Sequence, residues 1–136
     1  MPHEEMRRTL PNYFFNNNFM EVVLKERDHV ITQLLVRPES CNPYGRTHGG
    51  AIYTLGDSAS GTAVHTDGRL YVTQTSTVHF LRNVTPGHTI QAEAKIIHRG
   101  KATCLSEVTF TDEENNLLAL GQYTFFCINQ DPGHVV

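Results

Sequence analysis

The sequence lacks the features that mark several large classes of protein. Its longest run of Lys and Arg is the pair at positions 7 and 8, and its formal net charge is -3 with a pI near 6.2, so no positive field is available to hold a nucleic acid. No stretch approaches the roughly eighteen apolar residues of a membrane helix, and the N-terminus lacks the basic-then-apolar order of a signal peptide. We therefore expect a cytoplasmic protein that binds neither nucleic acid nor membrane.

Cysteine is scarce, and histidine is not clustered. The three cysteines, Cys41, Cys104 and Cys127, are an odd number at wide spacing, which fits neither a disulfide framework nor a zinc knuckle. The eight histidines include no His-x-His and no His-Glu-x-x-His. The sequence thus predicts no metal site, and it favours a reducing compartment.

The composition present is that of a globular protein, with 39% apolar and 18% charged residues. No Pro/Gly/Ser linker divides the chain, so residues 1–136 are interpreted as one domain. Its N-terminal segment, about 1–18, is predicted to contain a short helix over 7–17. A loose tail is expected from about residue 130.

Apolar periodicity predicts a hairpin, one long helix and four further strands. Residues 20–36 alternate as two strands that meet near 26–29, and residues 49 to about 65 repeat apolar side chains at helical spacing. The other residues of this helix are small and include two glycines, so close packing must compensate for its poor helix propensity. Four period-two strands are then predicted, over 71–82, 89–98, 102–111 and 117–128.

Short, turn-like joins between these strands predict an antiparallel sheet. Residues 89–98 place apolar side chains on one face and polar ones on the other, as expected of a sheet with one solvated side. A single long helix is available to cover the apolar face. The prediction is an α+β fold in which a curved antiparallel sheet wraps around one central helix.

The most informative motif lies at the start of this helix. His48-Gly49-Gly50 stands where backbone N–H groups have no helical partner and where the dipole favours negative charge. Glycine there lets a carbonyl approach the backbone closely. The motif is equally compatible with an oxyanion site and with a simple tight turn.

Asp57 lies two turns into the same helix. It sits about 140° around the axis from Ile52, away from the apolar stripe. An Asp on a helix is most often solvated, but a helix enclosed by a sheet has little solvent face, so Asp57 is predicted to point into a pocket or interface. Such a carboxylate can act as general base or nucleophile on a thioester, whose thiol leaves without a strong general acid.

These motifs resemble the phenylacetyl-CoA thioesterase (PaaI-like) branch of the hotdog superfamily. The resemblance covers roughly residues 20–128. The residues that carry it are Asn42, His48-Gly49-Gly50, Asp57, Phe80-Leu81-Arg82 and Pro86-Gly87.

The resemblance implies an acyl-CoA thioesterase of hotdog fold. It implies that Asp57 is base or nucleophile, that the Gly49 N–H polarises the thioester carbonyl, and that Asn42 places the water or substrate. It also implies active sites shared between the subunits of a dimer, two of which commonly form a tetramer. Coenzyme A enters as part of the substrate, so no separate cofactor is expected.

Six further residues complete the predicted site. By the same resemblance Thr73 is expected to assist the water, although simple alternation puts Thr73, Thr75 and Thr77 on one strand face and Thr suits strands for its shape alone. The remaining five are predicted to bind substrate. Three of them, Arg82, Arg99 and Lys101, would bind the coenzyme A phosphates; the alternative is that they are ordinary solubilising or edge-protecting charges. The five are His48, which also supports the loop, Gly50, Arg82, Arg99 and Lys101.

Two other functions fit parts of the pattern. A hotdog hydratase or dehydratase uses a compact Asp–His pair, whereas Asp57 and His65 are eight residues apart. A non-catalytic acyl-CoA-binding module normally carries a DNA-binding segment, and no basic helix-turn-helix is evident. The acyl group stays open between aryl and medium-chain types.

Overall fold

The computed structural model describes residues 11–131 as six strands and two α-helices. Two short 3-10 turns, Pro38–Ser40 and His65–Asp67, flank the second helix. The elements in chain order are α1 (Tyr13–Asn17), β1 (Met20–Glu26), β2 (His29–Leu35), α2 (Gly49–Val64), β3 (Leu70–Phe80), β4 (Thr89–Arg99), β5 (Thr103–Thr111) and β6 (Leu117–Asn129).

The six strands form one antiparallel sheet in the order β1-β2-β4-β5-β6-β3. The α+β class predicted from the sequence is therefore confirmed. The short join between β3 and β4 is not a hairpin, because β3 pairs with β6 at the edge and β4 pairs with β2. Residues 81–88 carry the chain from that edge to the centre of the sheet.

Helix α2 packs against the inner face of the sheet, mainly over β4 and β2. Its small residues allow a close approach: a Cβ added to Gly56 would lie 2.4 Å from Phe110 Cζ and 2.6 Å from the Tyr123 hydroxyl oxygen. Buried hydroxyls tie the two layers together. They are Thr32, which donates to the Leu55 carbonyl at 2.9 Å, the pair Ser60 and Ser106 at 2.8 Å, and Tyr123, which donates to the Tyr53 carbonyl at 2.9 Å.

Strand β3 contains a bulge that changes which residues face the helix. The register passes from Thr73 opposite Phe125 to Thr75 opposite Thr124 and leaves Gln74 without a partner. One unpaired residue inverts the alternation of the strand beyond it. Thr73 therefore shares the helix face with Phe125, whereas Thr75 and Thr77 lie on the outer face. The prediction that the three threonines share one face was wrong, because simple alternation cannot include the extra residue.

The remaining boundaries agree closely with the predictions. The hairpin turns at residues 27–28, and the helix ends one residue before the predicted position. Of the predicted N-terminal helix over 7–17, residues 7–10 lie outside the described part, and the rest is helical from Tyr13. Residues 132–136 of the predicted tail also lie outside it. Within residues 11–131, no helix is long and apolar enough to cross a membrane.

Candidate active site

The N-terminus of α2 presents one backbone donor that has no acceptor in the described part of the chain. His48 is the N-cap, and its Nδ1 accepts the Gly50 N–H at 2.8 Å. This bond fixes the tautomer of His48, because a ring nitrogen that accepts carries no proton. It also occupies the Gly50 donor. Within residues 11–131 no acceptor bonds the Gly49 N–H, so this amide is available to an external oxygen.

Two neighbouring segments fix the position of this helix end. The His48 N–H donates to the Ser40 carbonyl at 2.8 Å. On the other side, the buried Thr47 hydroxyl donates to the Val84 carbonyl at 2.9 Å, and the Asn83 amide exchanges two bonds of 3.1 Å with the Thr47 backbone. The Gly49 amide is thus oriented by contacts to chain segments on both sides of the helix.

Asn42 belongs to a tight loop that precedes the helix. Its side-chain oxygen accepts the N–H groups of Tyr44 at 3.0 Å and Arg46 at 3.2 Å, an Asx turn. A bridge between Cys41 and Thr47 closes the base of the loop. Asn42 therefore lies at the same end of α2 as Gly49.

Asp57 lies further along α2 and faces β3. Thr73 Oγ1 donates to Asp57 Oδ1 at 2.8 Å. The carboxyl is half-buried, and this burial raises its pKa above the ordinary value, while the Thr73 bond partly offsets the rise. The structure thus brings together two residues that were selected separately in the sequence.

Three contacts between α2 and β3 line this side of the helix in order. Thr73 meets Asp57, Ser76 meets Tyr53 in a hydrogen bond of 2.5 Å between their hydroxyl oxygens, and the Phe80 ring lies against Gly49. The sequence reasoning did not anticipate the contact between Tyr53 and Ser76. The available signal was the spacing of Tyr53, four residues before Asp57 and thus on the same helix face.

The three predicted phosphate-binding cations do not lie together in one chain. Arg82 is exposed and follows β3 at the end of the helix that carries Gly49. Arg99 and Lys101 lie at the other end. The Arg99 side chain is only 16% exposed, and its N–H groups are directed to five oxygen acceptors. These are Asp28, Asp67, the Tyr71 hydroxyl and the carbonyls of Ala63 and Val64.

His65 does not form a pair with Asp57. Its Nδ1 bonds the Gly61 carbonyl at 2.6 Å, and its Nε2 accepts the Tyr71 N–H at 3.2 Å, so both ring nitrogens contact backbone groups. In the described part of the chain, no three His, Cys, Asp or Glu side chains are grouped to hold a metal ion.

A six-stranded antiparallel sheet that packs one face against one long helix is the architecture of the hotdog fold. The chain belongs to the thioesterase superfamily, whose family model matches residues 44–119. That match confirms the predicted enzyme class, a thioester hydrolase.

Individual relatives agree with this membership and with the predicted PaaI-like resemblance. The acyl-coenzyme A thioesterase PaaI of Escherichia coli is 25% identical over 101 residues, 74% of this chain and 72% of that protein. A Streptococcus mutans protein solved with acetyl-CoA is 30% identical, with a TM-score of 0.79, over 94% of this chain and 98% of that one.

A hypothetical thioesterase of Streptococcus pneumoniae, solved with coenzyme A, is 28% identical over 85% of this chain and 91% of that one, with a TM-score of 0.81. Two variants of that protein are also solved, one with an aspartate and one with a threonine replaced by alanine. The two replaced positions are sixteen residues apart, as are Asp57 and Thr73.

Proposed function

We propose that this protein is an acyl-CoA thioesterase that hydrolyses an aryl- or medium-chain acyl-CoA to the free acid and coenzyme A. Asp57 is its general base or nucleophile, Thr73 orients Asp57, and the Gly49 N–H is its oxyanion donor. Asn42, near the same helix end as Gly49, helps to place the water or substrate. The observation that carries the proposal is the hydrogen bond from the exposed Thr73 to the half-buried Asp57, on a helix whose Gly49 N–H has no acceptor within residues 11–131.

The chemistry requires few groups. As water attacks the carbonyl carbon, Asp57 takes its proton and the developing oxyanion is stabilised by the Gly49 N–H and the helix dipole. The carbon–sulfur bond then breaks, and coenzyme A leaves as a thiolate, whose conjugate acid has a pKa of about 8.5. In the nucleophilic variant, Asp57 attacks the carbonyl carbon directly, the carbon–sulfur bond breaks to release the thiolate, and water then hydrolyses the resulting mixed anhydride to the free acid and the Asp57 carboxylate.

The geometry of one chain supports a site built from two. Eight residues of helix separate Gly49 from Asp57 by about 12 Å along the axis. The Gly49 N–H points out of the helix N-terminus, away from Asp57. An oxygen bound there lies beyond the reach of an acid that must act on the adjoining carbon, so we place the Gly49 of one subunit opposite the Asp57 of another.

A joined sheet provides the contact between the subunits. Strand β3 is an edge strand whose outer side pairs with no strand within residues 11–131. Val72 and Phe80 are about half exposed on it. Pairing with the β3 of a second copy would satisfy these backbone groups and cover both side chains in an isologous dimer. Two such dimers form the proposed tetramer.

The coenzyme A phosphates have two candidate cations. Arg82 and Lys101 are exposed and lie outside the strands and helices, and Lys101 can approach the Gly49 end only from another subunit. His48 and Gly50 support the carbonyl site through their mutual bond. Arg99 is given a structural role instead, because its N–H donors already have acceptors within the chain.

A cytoplasmic location is part of the proposal, and the three free cysteines support it.

The decisive test measures thiol release from a panel of aryl, hydroxyaryl and fatty acyl-CoAs. Asp57→Ala and Asp57→Asn are expected to lower kcat by at least about a hundredfold. Gly49→Pro removes the proposed donor and places ring carbons where the carbonyl would approach, beside Phe80. The helix start should be kept, because proline suits the first helical position and His48 already has the extended backbone, ψ 135°, that precedes proline. Loss of this donor should lower kcat by about a hundredfold.

Circular dichroism and sedimentation show whether each variant keeps its fold and assembly. Folded Asp57 variants that hydrolyse as fast as wild type contradict the catalytic assignment. A wild-type protein that binds acyl-CoA without thiol release is instead a binding module. One that adds water to an enoyl-CoA is a hydratase.

A further inference from the structure

The segment that crosses from β3 to β4, residues 81–88, contacts the start of α2 through the side chain of Asn83. Asn83 Nδ2 donates to the Thr47 carbonyl, and Asn83 Oδ1 accepts the Thr47 N–H, each at 3.1 Å. The same Oδ1 accepts the Val84 N–H at 2.8 Å. Only this orientation of the amide satisfies all three groups. Asn83 thus uses both ends of its side chain on the residue that directly precedes the N-cap, His48.

The peptide unit between Thr47 and His48 is held at both of its polar atoms. Its carbonyl accepts from Asn83, and its N–H, that of His48, donates to the Ser40 carbonyl at 2.8 Å. The next peptide unit carries the Gly49 N–H, and its carbonyl accepts from the first turn of α2. Because a peptide unit is planar, the helix fixes the direction of the Gly49 N–H, and the preceding unit fixes where the helix begins.

Both proposed reacting groups are tied to β3 or to its continuation. Thr73, on β3, donates to Asp57 at 2.8 Å, and the crossing segment that carries Asn83 follows β3 directly. The first two N–H groups of that segment donate to the Leu118 carbonyl of β6, at 2.9 and 3.0 Å. In the proposed dimer the subunits join along β3, so these ties determine how Gly49 lies relative to Asp57 of the partner subunit.

The far end of the crossing segment is anchored as well. The Gly87 N–H donates to the Val36 carbonyl, and the Val36 N–H donates to the His88 carbonyl, both at 2.9 Å. Val36 and Val84 are buried in the core. A segment held at both ends, and by a buried side chain between them, gives Asn83 a fixed base from which to hold Thr47.

We propose that Asn83 is a positioning residue for the Gly49 oxyanion donor, because it ties the start of α2 to the strand along which the subunits join. This inference rests on the proposed thioesterase function and adds a residue to its site. Without the Asn83 amide the Thr47 carbonyl loses its donor, and the start of the helix is held less firmly. A displacement of about 1 Å at a reacting group can lower a rate by as much as about a hundredfold.

The first test replaces Asn83, which is exposed, so that the core stays intact. Asn83→Ala should lower kcat for the best thioester of the panel by about tenfold and leave KM within about threefold, because an oxyanion donor acts mainly in the transition state. Asn83→Asp keeps the acceptor oxygen and loses the donor to Thr47, so it should lose as much. It also serves for every measurement if Asn83→Ala does not fold.

Asn116→Ala is the matched control. Its amide donates to Asp112 at 3.0 Å in the turn between β5 and β6, without a bond to the backbone before α2. This variant should keep kcat within about twofold of wild type.

A double-mutant cycle separates positioning from a general loss of structure. In Gly49→Pro the donor is absent, so the addition of Asn83→Ala should lower kcat by less than about a further twofold. In Thr73→Val, which acts through Asp57, the two losses should instead multiply. The inference is overturned if folded Asn83→Ala keeps the wild-type kcat. It is also overturned if Asn83→Ala lowers kcat about tenfold in the Gly49→Pro background as well.

Hydrogen exchange decides the inference independently of activity. Residues 47–52 should exchange at least about fivefold faster in Asn83→Ala than in wild type, whereas residues 57–64 of the same helix should be unchanged. Unchanged exchange at residues 47–52, or equal acceleration in both ranges, overturns the inference and leaves the thioesterase proposal intact. If wild type hydrolyses no member of the panel, the thioesterase proposal fails, and this exchange measurement alone shows whether Asn83 holds the start of α2.

Discussion

Asp57 is held by surroundings that oppose its charge and by one bond that favours it. Burial against the sheet raises its pKa, and the hydrogen bond from Thr73 lowers it. A carboxyl with these opposing contacts is poised as a base near neutral pH more closely than a solvated one. Two predictions test the two contributions separately.

Replacement of Thr73 by Val should shift the pH dependence of hydrolysis. Asp57 must be deprotonated to act as a base, so kcat/KM rises with pH through its pKa. Without the Thr73 bond the charged form loses a stabilising donor, and the pKa of Asp57 rises further. The acid limb of the pH profile should therefore move to higher pH. The loss of kcat/KM relative to wild type should be largest at acidic pH. Thr77→Val on the outer face serves as control, and an unmoved limb in Thr73→Val would sink the argument.

Asp57→Asn should stabilise the fold at neutral pH, because the neutral amide avoids the desolvation that Asp57 suffers. We expect a gain of about 1 kcal/mol in the free energy of unfolding near pH 7. Because the pKa of Asp57 is raised in the folded state, the folded protein keeps this proton up to a higher pH than the unfolded chain, in which the pKa is near 3.8. The gain should thus vanish below that pH and grow as pH rises through the native pKa.

Urea unfolding at several pH values measures this gain. Glu107→Gln removes the same charge from an exposed position on β5, and it should change stability by less than about 0.5 kcal/mol. A loss of stability in Asp57→Asn at neutral pH would show that the carboxylate is better solvated than its position implies.

The residues of the site differ in how well their positions and contacts can be predicted from the sequence. The Gly49 and Asp57 positions follow from a local motif and helical spacing. The role of Arg99 does not, because its partners Asp28 and Asp67 lie 71 and 32 residues away. The Tyr53–Ser76 contact was likewise invisible, since it depends on a bulge that inserts no unusual residue type.

At the scale of elements, the close approach of α2 to the sheet depends more on Gly56 than on Gly61, the two glycines in the interior of the helix. An added Cβ at Gly56 meets Phe110 and Tyr123 inside the core, whereas at Gly61 the nearest atom is 3.9 Å away. Both residues carry the same intrinsic cost in a helix. Their difference is entirely one of packing.

Gly56→Ala and Gly61→Ala should therefore change stability in opposite directions. Gly56→Ala forces the Phe110 and Tyr123 side chains to move and should cost about 2 kcal/mol or more despite better helix propensity. Gly61→Ala meets no clash and should add up to about 1 kcal/mol. Chemical denaturation of the two variants measures both values. Equal effects would contradict the packing account.

The helix and all strands were predicted from periodicity, with ends within about three residues. Their order in the sheet was not predicted, because pairing of β3 with β6 is a contact between residues about fifty apart in sequence, and no local pattern encodes it. The short joins predicted the antiparallel arrangement correctly, since antiparallel pairing holds across β3–β6 as well.

At the scale of the whole molecule, the distance between Gly49 and Asp57 predicts complementation between two inactive variants. In a mixed dimer of Gly49→Pro with Asp57→Ala, one site combines an intact Gly49 with an intact Asp57 from the other chain. Random pairing makes half of the dimers mixed, and one of their two sites is intact. Activity should therefore recover to about a quarter of the wild-type value per chain.

Co-refolding of the two variants, followed by the thiol-release assay, measures this recovery. Each variant refolded alone is the control and should stay inactive. If both residues served the same carbonyl within one chain, the mixture would be as inactive as its components.

The unpaired Gln74 also affects how chains of this family can be compared. A strand with one extra residue carries its alternating pattern in two phases, one before the insertion and one after it. Deletion of that residue would restore a single phase and keep Thr73 and Ser76 on the same face, but closer together. Suppose that a relative lacks the residue equivalent to Gln74 and is aligned with this strand without a gap. Every residue on one side of the insertion is then assigned to the wrong face of the sheet.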